Sequence, residues 1–276
     1  MQEEIESLKA EVKRLRKILN EQTPPLSTLL RRRGFRIYKK EPRDDFLIPE
    51  KGFLDSYYEM MKKYSFRLFL RDVIKNQPIF TLPQVTRYAT KEVTAGYIEY
   101  LLKIKMLKQK NNSYSLIKGD IKSFGETLEW FIAEIFKREI SAEAIWGVKM
   151  KRPNIGGDYD LLAKINGFIL YMEIKSSPPK QIYQNELTAF LDRVYDLMPE
   201  IAIFFMDTEL RMKDKIVPMF EEEMRMRFAL PPDIVRIEKE LFEINIERPK
   251  VFIINAKDSI IANIEKVISR FLRRIE

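Results

Sequence analysis

The sequence contains no cysteine and no histidine in 276 residues. The first absence excludes disulfides and thiolate zinc sites, and fits a reducing compartment. The second excludes more. Ser-His-Asp and Cys-His nucleophilic machinery, histidine general bases and histidine-ligated zinc are all ruled out. Any metal chemistry must then use carboxylates, which suit Mg2+ or Mn2+. No run of eighteen apolar residues occurs either, so no membrane-spanning helix is expected. Met1 leads into Gln-Glu-Glu rather than a basic or apolar leader, and the expectation is a soluble, cytoplasmic protein without a membrane partner.

What is present is an apolar fraction of 45%, enough for a real core, and a net charge of +8. The length accommodates two domains and an appendage. The positive balance favours a polyanionic partner, nucleic acid before a membrane surface.

The most informative stretch runs from Gly156 to Ser177. Two apolar-rich runs flank Asn166-Gly167, the strongest short hairpin signal. With a two-residue loop, residues whose numbers sum to 333 lie opposite each other. Asp160 then faces Glu173, and Asp158 faces Lys175. Leu161, Ala163, Ile165, Phe168, Leu170, Met172 and Ile174 share one face of the ribbon, and the four charged residues share the other. Carboxylates directly opposite each other, Cβ atoms ~5 Å apart, repel. A divalent cation between them removes that repulsion. Leu162, Ile169 and Tyr171 lie on the charged face too, so that face is expected to be partly covered. The alternative is a set of solvated charges, with Asp158 and Lys175 as a cross-strand ion pair.

Ahead of this stretch, Ile5, Leu8, Val12, Leu15 and Leu19 form an a/d seam over residues 1–20. It implies a homodimeric coiled coil, or else one amphipathic helix docked on its own chain. Residues 21–60 show no lasting period and carry the tract Arg31, Arg32, Arg33, Arg36, Lys39 and Lys40, read as a basic linker or a phosphate-tracking segment. Residues 61–120 read as helices over 66–75, from Phe80 through Tyr88, and over 91–105, followed by a hairpin around Asn111-Asn112. The third helix is expected to bury Val93, Ile98, Leu101 and Leu102 and to expose Lys91, Thr94 and Tyr97. Helix, helix, helix, hairpin resembles a winged-helix module, which by that resemblance would bind DNA through Lys91, Thr94 and Tyr97 on the third helix and Lys108 and Lys110 on the wing. Between residues 60 and 120 there are twelve Lys/Arg against four Asp/Glu, the local excess that phosphate contacts require. Protein contact is the other use such a module could serve.

A helix over 123–139 follows, with Ser123 and Glu126 as a capping pair and Glu129 at the edge of an apolar stripe. A carboxylate beside a core needs a partner, cation or metal. The order onward is strand 142–148, the hairpin, a helix through Leu197, strand 201–205, a helix over 210–226, an unreadable segment at 232–249, strand 251–254 and a last helix from Ile260. Residues 121–276 therefore read as an α/β domain, a mixed central sheet with flanking helices.

That order, with an acidic residue on the first helix and Asp…Glu-x-Lys on a hairpin, resembles the PD-(D/E)XK nuclease superfamily of restriction-endonuclease-like fold, which includes Holliday-junction resolvases and type IV restriction enzymes. Glu11-Val12-Lys13 and Asp120-Ile121-Lys122 match the short motif too, so its context discriminates rather than the motif itself. The resemblance implies a Mg2+- or Mn2+-dependent DNA endonuclease. Asp160, Glu173 and Glu129 would hold the metal, and Lys175 would orient the nucleophile or stabilise developing charge. Asp158 competes with Asp160, because neither follows a proline, and Glu126 is second to Glu129. Gln181 or Gln184 matches the polar residue that some members carry on the next helix. The alternative is a non-catalytic DNA-binding or regulatory protein that uses a nuclease-like domain for assembly or shape recognition.

Overall fold

The computed structural model describes residues 5–8, 11, 12, 14, 15, 18, 24–151 and 158–273. The N-terminal residues in that set are helical, and Ile5, Leu8, Val12 and Leu15 are exposed along it. Leu19, the last seam position, lies outside the described residues, as do Gly156 and Gly157. No helix of the described residues is long and apolar enough to cross a membrane.

Eight strands of the described residues make one mixed sheet. They are β1 (Arg36–Lys39), β4 (Glu143–Lys151), β5 (Asp158–Ile165), β6 (Phe168–Lys175), β7 (Ile201–Met206), β8 (Ile234–Glu238), β9 (Leu241–Ile244) and β10 (Lys250–Asn255), in the order β1-β4-β5-β6-β7-β10-β9-β8. β7 runs parallel to β6 and β10, and the other pairs are antiparallel. The central strands are continuous apolar runs because both faces are covered. On one face lie the first helix after the hairpin module (Gly125–Arg138) and the last helix (Ile260–Leu272), together with the helices of residues 54–103. On the other lie Leu26–Arg32, Gln184–Leu197 and Ile216–Arg227. In chain order the helices are α1 (Leu26–Arg32), α2 (Leu54–Met61), α3 (Tyr64–Lys75), α4 (Leu82–Val85), α5 (Lys91–Lys103), α6 (Gly125–Arg138), α7 (Gln184–Leu197), α8 (Ile216–Arg227) and α9 (Ile260–Leu272).

The hairpin forms as expected. Asn166 and Gly167 take positive φ of 49° and 86°, and the register runs from Ile165↔Phe168 to Leu161↔Met172, every pair summing to 333. The apolar face is buried against α6, and Leu162, Ile169 and Tyr171 are buried against α7 and α8 on the other.

Several expectations need correction. Within the segment expected as a basic linker, residues 24–60 are packed into the fold: Leu26, Leu30 and Phe35 are buried in the second core, and β1 joins the sheet edge beside β4. Periodicity fails there because the elements are only seven and four residues long. The second helix stops at Val85 instead of Tyr88, and the helix expected from Leu210 begins at Ile216. The unreadable segment is an antiparallel pair, β8 and β9, on the far edge. Strands β2 (Leu107–Lys110) and β3 (Ser113–Leu116) form the short hairpin, and Phe80 bridges to Tyr114 beside it. The apolar core under α3, α5 and this hairpin is continuous with the core under α6.

Candidate active site

The site lies where β5 begins and β6 ends. The ladder sets Gly147 of β4 opposite Asp160, between the pairs Trp146↔Leu161 and Val148↔Tyr159. Trp146 and Leu161 pack in the core under α6, whereas Val148 and Tyr159, two residues away, pack in the opposite one. Strict alternation would put them on one face. The pleat of both strands therefore slips by one at Gly147 and Asp160, and Gly147 takes φ +55° to allow it. At that slip the hairpin's ladder with β6 stops, and Asp160 Oδ2 accepts the Ile174 N–H at 2.7 Å.

Glu173 is 2% exposed and carries the densest set of contacts. Lys175 Nζ lies 2.9 Å from its Oε1, Arg193 Nη2 donates to its Oε2 at 2.7 Å, and the Tyr171 hydroxyl donates to the same oxygen. Arg193 Nε also donates to the Tyr171 hydroxyl at 2.8 Å. Burial opposes ionisation of Glu173, yet Lys175 and Arg193 outweigh it and hold the carboxyl below its usual range. Lys175 Nζ is shared with Glu186 Oε1 at 3.1 Å, so both its carboxylate neighbours hold it charged against burial.

The other two carboxyls behave in the opposite way. Burial, then the charge of Glu173, pushes Asp160 up to about 8. Burial, then Asp160, raises Glu129 well above the ordinary carboxyl range. Glu129 comes from α6, whose apolar stripe of Leu128, Phe131, Ile132 and Ile135 is pressed on the sheet. A Cβ built at Gly147 would lie 3.5 Å from Glu129 Oε2, so that carboxylate stands over the slip. No basic side chain among the described residues is ion-paired to Asp160 or Glu129. Lys175 and Arg193 offset part of the repulsion around Asp160 without pairing to it.

The remaining candidates fall elsewhere. Asp158 does not face Lys175; it pairs across the other ladder with Lys149 at 2.9 Å. Glu126 does not reach back to Ser123, because its Oε2 accepts the Asp45 N–H at 3.1 Å. Gln181 is exposed, and Gln184 donates to Met219 O and Glu223 Oε2, away from the site. Thr94 and Tyr97 are buried, not exposed: the Thr94 hydroxyl donates to Thr90 O and the Tyr97 hydroxyl bonds Ser65 Oγ. Val93, expected inside, is outside. The inner stripe is Thr94, Tyr97, Ile98 and Leu101. Lys91, Lys108 and Lys110 are exposed as expected.

No family model and no curated protein matches the chain. Solved structures similar to it include the following two. One is protein VC1899 from Vibrio cholerae, at 13% identity and TM-score 0.46 over 70% of this chain and 54% of that one. The other is Can2 from Sulfobacillus thermosulfidooxidans, determined in complex with cyclic tetra-adenylate, at 18% identity and TM-score 0.39 over 65% of this chain and 50% of that one. The chain spans about half the length of either protein. The reading of the site therefore rests on its own side chains.

Among the described residues no three acidic side chains are gathered closely enough to cage a metal by themselves. Sequence reasoning missed Arg193, Tyr171 and Glu186. Each is on the covered side of the ribbon or on α7, where only the fold brings it to Glu173 and Lys175. A further missed link is Asp207, fully buried between Arg67 and Arg71 of α3, with Arg67 Nη2 at 2.8 Å from its Oδ1. Its N–H donates to Lys175 O at 2.8 Å, so α3 grips the strand end next to the catalytic candidate.

Proposed function

We propose that the chain is a divalent-metal-dependent DNA endonuclease of the PD-(D/E)XK type. The observation that carries this reading is the meeting of Asp160, Glu173 and Lys175 at one sheet position, with the Glu129 carboxylate standing over it. Asp160 and Glu129 would hold Mg2+ or Mn2+, with water and phosphate completing the shell. Such an ion, when bound, polarises a phosphoryl oxygen and lowers the pKa of bound water. Lys175 stands at the exposed rim of the cluster and stabilises charge building on the phosphoryl group. Glu173, locked by Arg193 and Tyr171, fixes Lys175 through its Oε1 and so keeps that ammonium aimed and charged.

The helices α3 to α5 with the β2–β3 hairpin serve as a winged helix that holds DNA, with Lys91, Lys108 and Lys110 as exposed phosphate contacts. Thr94 and Tyr97 build its core and read no bases. The N-terminal seam joins two copies of the chain: Ile5, Leu8, Val12 and Leu15 are exposed along one helix, and pairing would bury them.

Incubation with duplex, branched and single-stranded DNA, in Mg2+, Mn2+ or chelator, tests the activity. Cleavage should require metal and vanish in Lys175→Ala, with DNA binding retained. A variant that cuts as well as the parent would refute the role given to Lys175. One observation favours the second reading, a non-catalytic DNA-binding protein: both oxygens of Glu173 are already committed to cations or a hydroxyl. Calorimetry separates the two readings, because a non-catalytic chain takes up no Mn2+ and Asp160→Asn then changes nothing.

A further inference from the structure

The edge of the sheet carries a second feature of the same face. Met150 of β4 is buried in the core beneath α7 and α8, and Ile37 of β1 packs against that core. Their neighbours Arg36, Lys149 and Lys151 therefore project to the opposite face, that of Glu129, and the bulge between Ile37 and Lys39 brings Tyr38 there too, beside Lys151. The register brings them together, with Arg36 across from Lys151 and Lys39 across from Lys149. Lys151 Nζ lies 5.8 Å above the Tyr38 ring, which is 59% exposed. Carboxylates reach only one end of this strip. Asp158 pairs with Lys149 at 2.9 Å and Asp44 with Lys39 at 3.6 Å. Arg36 and Lys151 have no carboxylate partner among the described residues.

The strip leads into the acidic cluster. Lys149 is two residues from Gly147, whose place on the ladder is opposite Asp160. Lys149 and Lys151 sit roughly 6.6 Å apart along their strand, a separation that suits successive phosphates of a nucleic-acid strand, stretched or stacked. The ring decides between them. An exposed tyrosine flanked by cations offers a stacking surface, and only an unpaired base has a free face for it. A paired duplex would gain from the cations and nothing from the ring.

The geometry points to a seat for an unpaired nucleic-acid strand on the β1–β4 edge, with phosphates on Arg36, Lys151 and Lys149 and a base on Tyr38, which feeds the strand towards Asp160. It rests on the nuclease reading only for its purpose, since the seat itself contains none of the proposed metal-holding residues. The proposed substrate is accordingly DNA with an unpaired arm or gap next to the scissile bond.

Fluorescence anisotropy of the full chain in chelator tests it, because no cleavage occurs there. The probes are labelled oligothymidylate and a blunt duplex. Tyr38→Ala should weaken oligothymidylate binding about 5- to 100-fold, the loss of one stacked base, and leave the duplex unchanged. Tyr38→Phe should bind as the parent does. Arg36→Ala with Lys151→Ala should lower the salt slope for oligothymidylate by about 1.4, or about 0.7 per phosphate contact. Unchanged single-strand affinity in Tyr38→Ala, with its melting temperature preserved, overturns the seat. So does an equal loss for both probes, which would mean that the edge holds duplex backbone. A chain that binds in this pattern but never cuts refutes the nuclease reading alone.

Discussion

The lack of histidine and cysteine leaves the neutral pH range almost empty of ordinary titrations, and that makes Asp160 measurable. Its carboxyl is pushed up to about 8 by burial and by Glu173, against about 3.9 in an unfolded chain. A carboxyl whose folded pKa is raised contributes stability that is fully present below the unfolded value and is lost as pH rises through the folded one. In the window from about 4 to about 8 the folded state keeps a proton that the unfolded state has released, so metal-free stability falls by about 1.4 kcal/mol per pH unit for this group. From pH ~5 to pH ~7 that amounts to about 2.7 kcal/mol, or roughly 5–10 °C of Tm for a chain of this size. Glu129 acts with the same sign, and burial raises Glu126 and Asp72 as well. The contribution of Asp160 is therefore read as a difference: Asp160→Asn should show a shallower fall in Tm than the parent over this window. Saturating Mn2+ should raise the parent's Tm more at the higher pH, because metal and proton compete for the same oxygens. Parallel Tm curves for parent and Asp160→Asn in chelator would refute the raised pKa of this half-buried carboxyl.

Two further perturbations probe the frame around the site. Gly147→Ala forces a side chain into φ +55°, with its Cβ 2.8 Å from Pro42 Cγ, and should cost about 2 kcal/mol or more in denaturant unfolding. A Gly147→Ala protein of parental stability would mean that the pleat slip is not held there. Arg67→Met leaves Asp207 buried with Arg71 as its sole charged partner, and should cost about 3–5 kcal/mol in the same measurement. Cleavage of DNA by the surviving folded fraction should fall too, since Asp207 is bonded to the backbone of Lys175.

The hairpin was legible because its signal is local: Asn-Gly fixes the turn, the turn fixes the register, and two apolar faces confirm it down to Leu161↔Met172. Glu173 and Lys175 could be named for the same reason. Beyond that pair the period of two stops being a guide. It places Asp158 opposite Lys175, whereas the protein gives Asp158 to Lys149 on the other neighbouring strand. No run of hydrophobicity announces that β4 lies there, since β4 and β5 are joined through residues whose spacing says nothing of register. The slip itself is written in one glycine, and Gly147 is one of nine. It becomes meaningful only when Asp160 is found across from it and Glu129 above it. Arg193, and the bond that Tyr171 makes to Glu173, were invisible for a different reason. An arginine on a helix reads in sequence as part of a solvated face, and the register sets Tyr171 on the charged face without saying what its hydroxyl meets. Their contacts to Glu173 require the α7 layer to be laid on the sheet first. The same holds for the tract at Arg36 to Lys40, which has the composition of a linker and the position of an edge strand. Whether such a run of charge is solvated or functional depends on what its strand partner brings, and here β4 brings Lys149, Lys151 and the path to Asp160.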